Sequence, residues 1–219
     1  MLPLFCPNDG VHLTLAPYIT IQTIRQRTLP YLIVRRLMDQ EVVFDWVGRD
    51  HAREWYENLL SGYDWDARYW EQRALAEARL HSFAKARSFA EEALRIQRHP
   101  FTLNTLGTVL MRMAVAHFEP GSAESKNVLW EGIGYLRQSR DDREWRHEHP
   151  YTSFFTWALR FAETAYKGGP VEERLSAEWQ RWMNAAERAP VFSHSQEYAK
   201  LQEFHRRWLS LAVSQDREN

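Results

Sequence analysis

From Leu32 onward, apolar residues recur at intervals of three and four, the period of a helix that buries one face. Val34, Leu37, Met38, Val42 and Trp46 form the first stripe, closed by Gly48. Asp50 stands where an N-cap is expected, and Ala52, Trp55, Tyr56, Leu59 and Leu60 share the next face before Ser61 and Gly62 interrupt it. With Asp64 or Asp66 as cap, a third helix aligns Trp70, Ala74 and Ala78. Past His81 and Ser82, its partner carries Ala86, Phe89, Ala90, Ala93 and Leu94. Small residues dominate both stripes, which lets two helix axes approach closely.

The same period continues through Leu103, Leu106, Gly107 and Leu110, then past Glu119, Pro120 and Gly121 to Leu129, Ile133 and Leu136. A glycine inside a helix costs about 1 kcal/mol relative to alanine, so Gly107 is expected at a close contact. Phe154, Trp157, Ala158, Phe161, Ala162 and Ala165 predict a further helix, stopped by Gly168, Gly169 and Pro170. Leu175, Trp179, Trp182, Met183 and Ala186 supply its partner, and Leu201, Phe204, His205, Trp208 and Ala212 a last one; Gln215 to Asn219 form a frayed end. The first thirty residues differ. Pro7, Asn8, Asp9 and Gly10 are a turn signal between Leu4-Phe5-Cys6 and Val11 to Leu15, which predicts a small hairpin. A lone hairpin is marginal in water, so it needs support from the helical body or from protein outside this chain. Ile19 to Arg27 fits a strand or a short helix equally.

The segment from Tyr69 to Pro100 reads as two short amphipathic helices around a tight turn, and His99-Pro100-Phe101-Thr102 returns as His149-Pro150-Tyr151-Thr152 before a new helical pattern. Trp70, Ala74, Phe83, Ala86, Ala93 and Pro100 resemble one unit of the tetratricopeptide repeat, a helix-turn-helix of about 34 residues. Leu106-Gly107 with Leu110, and Trp157-Ala158 with Phe161, look like two more openings. Arg73 and Glu77 stand where that family has a large apolar and an aromatic residue, and the two His-Pro motifs begin 50 positions apart (99 to 149). The chain also resembles, more weakly, the helical-repeat region that follows the nucleotide switch in bacterial STAND-type NTPases, although it carries no Walker motif. The resemblance implies an all-α protein, a right-handed superhelical stack of helix-turn-helix hairpins behind a small N-terminal hairpin. Its segments are residues 1–30, irregular; 31–65, a helical pair; 66–190, three degenerate repeats; and 191–219, a capping helix and tail.

Composition narrows the chemistry. The chain has 219 residues, 44% hydrophobic, with a formal net charge of -1. The overall basic excess of a phosphate-gripping domain is missing. Cys6 is the only cysteine, which excludes an intramolecular disulfide and a cysteine-rich zinc site and fits a reducing, cytoplasmic setting. No basic and apolar leader opens the chain, and nothing predicts a membrane span. Ten tryptophans and an excess of arginine over lysine favour stacking and bidentate pairing.

Few motifs offer reactivity. His147 and His149, with Asp141, Asp142 and Glu144 nearby, have residue types that ligate zinc or nickel; the simpler reading is a solvated loop ahead of a helix. Ser193-His194-Ser195 sets hydroxyls beside an imidazole, but adjacency supplies neither a positioned base nor an orienting acid. Gly132-Ile133-Gly134 and Gly168-Gly169-Pro170 lack the rest of a nucleotide loop and read as packing or termination. Arg35-Arg36, Arg206-Arg207 and the run Arg137, Arg140, Arg143, Arg146, with Trp130 or Trp145 to stack bases, offer a nucleic-acid reading, which the interleaved acids weaken.

No catalytic residue, cofactor or metal is therefore expected. The resemblance implies a non-enzymatic interaction scaffold or sensor, of the kind found in bacterial signalling or defence. In such a stack each first helix lines the inner surface. The polar positions there are Gln72 and Arg73, then Asn104, Thr108 and Arg112, then Thr156 and Arg160, and their amide and guanidinium donors suit an extended acidic peptide or a C-terminal carboxylate. The alternative is a regulator that binds nucleic acid or a small ligand on the same helical stack.

Overall fold

The computed structural model describes residues 4–5, 12–13, 31–142, 144, 146–167, 169–192 and 196–213. The described residues are almost entirely helical. Two short strands, β1 (Leu4–Phe5) and β2 (His12–Leu13), pair antiparallel with Leu4 opposite Leu13 and Phe5 opposite His12. That is the pairing the turn signal predicts; Ile19 to Arg27, Cys6, Ser193 to Ser195 and the terminal tail lie outside the described residues. The chain forms two compact units, Met1–Gln97 and Arg98–Asn219. The division falls inside the segment that the sequence reads as an array of repeats.

The first unit contains α1 (Tyr31–Met38), α2 (Gln40–Glu54), α3 (Ala67–Arg79) and α4 (Phe83–Ile96). The stripe from Val34 to Trp46, expected in one helix, is divided between α1 and α2 because Asp39 leaves the helical conformation and its carboxylate accepts the Glu41 N–H at 3.0 Å. Carbonyls freed at the end of α1 find aromatic donors. Trp55 Nε1 donates to Leu37 O at 3.1 Å and Tyr56 Oη to Met38 O at 2.6 Å. Gly48 interrupts α2 with φ 75°, and residues Trp55–Leu59 widen into a π-turn. Asp66 caps α3 through the Arg68 N–H. Ala74 and Ala78 on α3 and Ala86, Ala90 and Ala93 on α4 are all essentially inaccessible, as a close hairpin of small residues requires. His81 closes α3 in the left-handed conformation, φ 59°, with Ser82 N–H donating to Glu77 O and His81 N–H to Ala78 O.

The second unit contains α5 (Pro100–Ala116), α6 (Ala123–Arg140), α7 (His149–Ala165), α8 (Glu173–Arg188) and α9 (Gln196–Val213). α5 and α6 cross at two glycines. A Cβ on Gly107 would lie 2.7 Å from Leu136 Cγ and 2.9 Å from Gly132 O, and one on Gly132 would lie 2.9 Å from Gly107 O. α7 and α8 are instead spaced by rings: Phe154 stacks on Trp182 with centroids 4.4 Å apart, and Phe155 meets Trp179 edge-on at 4.8 Å. α9 closes this core with Trp208 stacked on Trp179 at 4.1 Å, while Trp179 Nε1 donates to His205 Nδ1 at 3.1 Å. Among the described residues, no helix is long and apolar enough to cross a membrane.

The two His-Pro motifs behave differently. His99 is extended and caps α5: its Nδ1 accepts from Phe101 N–H, and Thr102 Oγ1 accepts from His99 N–H. Glu148, before the second motif, is already helical and makes no side-chain cap, so His149 becomes the first residue of α7 and its ring is released from capping.

Candidate functional site

α5 and α7 lie side by side in the second unit. Asn104, Thr108 and Arg112 are spaced by four residues on α5 and so share one face. Ser153, Trp157 and Arg160 form the matching row on α7. The rows meet: Thr108 Oγ1 donates to Ser153 Oγ at 2.9 Å, and the Arg112 and Arg160 guanidiniums lie over the Trp157 ring at 5.4 and 4.8 Å from its centroid. Both fall within the roughly 6 Å range of cation–π attraction. Trp157 and Arg112 are half-buried and Arg160 is exposed, so a positively charged aromatic platform faces outward. Asn104 Oδ1, about 12 Å along the helix from Arg112 at 1.5 Å per residue, is buried with no hydrogen-bond partner among the described residues. Thr156 is half-buried on the same helix as Trp157.

Past Asn104, towards the start of α5, the row runs into an imidazole cluster. Phe101 stacks on His99 at 5.3 Å and contacts His147 at 4.7 Å and His149 at 6.1 Å. Both His147 ring nitrogens are buried with no partner among the described residues. Burial and the neighbouring His149 push its pKa down to about 4, Glu148 opposes the shift, His99 adds to it, and Asp142 opposes it weakly. His147 is therefore neutral at physiological pH. Among the described residues, no group of three or more His, Cys, Asp or Glu side chains converges as a bound metal ion needs.

The first unit uses its two candidate residues internally. Gln72 is 4% exposed and its Oε1 accepts the Gln40 N–H at 2.9 Å. Arg73 pairs with Glu57 at 2.6 Å, donates to Tyr69 Oη at 3.0 Å and lies 4.3 Å from the Phe89 ring centroid. Glu77, the other polar departure in the repeat resemblance, is 1% exposed and takes a forked pair of bonds from Arg53.

Several members of the arginine runs are also engaged. Arg137 and Arg181 both bind Glu178, a carboxylate only 1% exposed that also accepts from Trp182 Nε1. Burial raises the Glu178 pKa, but the Arg137 bond and charge, with Arg181 and Trp182, outweigh it and hold the carboxyl below the usual range. Arg140 pairs with Asp141, Arg207 with Glu163 and Arg36 with Asp39, while Arg143 and Trp145 lie outside the described residues.

Asn104, Thr108, Arg112 and Arg160 are thus gathered along one seam or its ends, whereas Gln72 and Arg73 serve the first unit's own packing. In the sequence, Trp157 reads as a core position of its helical stripe and nothing marks Ser153. The spacing of four between them was visible, but the register of α7 against α5 was not. In comparison with known proteins, no family model, no curated protein and no solved structure matches this chain.

Proposed function

We propose that the chain is a non-enzymatic interaction scaffold, a stack of helical hairpins of the tetratricopeptide kind, which holds an extended acidic segment of a partner protein along the α5–α7 face. The observation that carries this reading is the indole of Trp157 shared by two guanidiniums, Arg112 and Arg160. An aromatic ring offers apolar contact area, and guanidiniums offer forked donors to carboxylates, so together they suit a peptide with an apolar side chain near an acid. The orphaned Asn104 Oδ1 supports it further, because a buried acceptor without a donor is met well by a ligand amide N–H. Thr108 and Ser153 bridge the two helices and hold the row in register.

The test is capture of the partner by the full chain, compared with an Arg112→Ala/Trp157→Ala/Arg160→Ala variant. Wild-type protein should retain a partner, and an acidic peptide cut from it should lose at least tenfold in affinity with the variant, measured by fluorescence polarisation. If peptide affinity is the same for both proteins, the face is not the binding surface. Thr108→Val, which keeps side-chain volume and removes one bridge, should give an intermediate loss.

A further inference from the structure

We propose that a second site, separate from the α5–α7 face, binds the phosphoryl group of a small anion in the cleft between the ends of α6 and α8 and the loop that precedes α7. The cleft has a volume of about 300 Å³, the low end of what small-molecule sites enclose. Three guanidiniums line it from three separate stretches of chain: Arg140 from the last turn of α6, Arg146 from the loop, and Arg188 from the last turn of α8.

Their pairing is uneven. Arg140 Nε holds Asp141 at 2.7 Å, and its guanidinium lies 4.4 Å from the Trp182 ring centroid, which fixes it as part of the wall. Asp142, the other acid of the lining, accepts the Glu144 N–H at 2.9 Å. Arg146 and Arg188 are exposed and have no carboxylate within 4.0 Å among the described residues. Arg140 and Arg188 sit where the negative end of a helix dipole accounts for a cation. Arg146 lies on no helix end, so neither a helix dipole nor an ion pair among the described residues accounts for its place in the cleft lining.

The rest of the lining fits the same ligand. Tyr151 and His147 contribute a phenol and a neutral imidazole, both able to donate a proton in a hydrogen bond, and Val191 adds apolar wall for an organic substituent. A phosphoryl group presents three terminal oxygens, enough for forks arriving from three directions. A carboxylate presents two oxygens in one plane and a single negative charge, so it meets forks from three directions less well than a phosphoryl group of higher charge.

Titration calorimetry on the full chain at low salt tests this with three probes: inorganic phosphate, glycerol phosphate and acetate. Saturable binding of one phosphate-bearing probe per chain is expected, with acetate at least tenfold weaker. Arg146→Gln/Arg188→Gln should weaken phosphate binding at least tenfold without shifting the melting temperature, since both side chains are exposed. Tighter binding of glycerol phosphate than of inorganic phosphate identifies an ester as the ligand, and equal binding identifies free phosphate; both support the site. Absence of saturable phosphate binding, or equal affinity in the double variant, overturns it. Acidic-peptide binding on the α5–α7 face should be unchanged in this variant, so the two sites stand or fall separately.

Discussion

His147 shows what burial without a partner does to an imidazole. Its folded pKa, about 4, lies below the ordinary value near 6.5. The unfolded chain therefore binds the proton first as pH falls, and the stabilising contribution present above about 6.5 is lost between there and about 4. Glu178 works in the same direction at lower pH. Its carboxyl is held below the usual range by Arg137, Arg181 and Trp182 against the cost of burial, so its contribution is present above about 4.3 and is lost on further acidification. Melting temperature should thus begin to fall already below about pH 6.5, and His147→Phe should flatten the curve between about 6.5 and 4 while leaving the steeper fall at lower pH. An unaltered pH profile in that variant would refute the assignment.

At the scale of elements, the glycines of α5 and α6 separate packing from propensity. Gly107→Ala gains helix propensity worth about 1 kcal/mol, yet its Cβ meets Gly132 O, a backbone atom that cannot rotate away. Overpacking should win, with a net loss of roughly 1–3 kcal/mol. Gly134→Ala, on the same helix as Gly132 but with nothing within 4 Å of the new Cβ, should stabilise by up to about 1 kcal/mol. Chemical denaturation of the two variants checks the sign of each. The sequence made these elements easy to find, because long stripes such as Leu175 to Ala186 are unambiguous and Gly107 announces a close contact. It was less informative where one polar residue decides the break. Asp39 splits what periodicity reads as a single helix, because its cap bond to Glu41 N–H competes locally with continuation. The two His-Pro motifs look alike on paper, yet differ in the backbone of the residue that precedes the proline turn. Arg73 reads as a ligand-facing position and Glu77 as an unexplained departure from the repeat pattern, since their partners Glu57 and Arg53 come from a distant stretch whose placement no local pattern reveals.

Across the whole molecule, cores follow the two units. Val34, Leu37, Tyr56, Leu60 and Tyr69 belong to a core in the first, and Leu136, Phe154, Trp179, Trp182 and Trp208 to one in the second. Residues 98–219 should accordingly fold alone. Expressed by themselves, they should unfold in one cooperative transition followed by circular dichroism; a non-cooperative melt would show that the second core is incomplete. The seam and the phosphate cleft both lie within that unit, so the same fragment should retain both binding properties. What the sequence conveyed of the site was its residue types; what it withheld was register, since Thr108 meets Ser153 across 45 positions of chain.

The stacked pair Trp179 and Trp208, with planes only 12° apart, joins the last helix to the aromatic layer between α7 and α8. Electronic coupling between indoles falls steeply with separation, and the Trp179 indole N–H is tied to His205 Nδ1 of the same last helix. The native tryptophans thus form a built-in optical gauge: detaching α9 would alter near-ultraviolet absorption and emission while most of the helical backbone signal stayed in place.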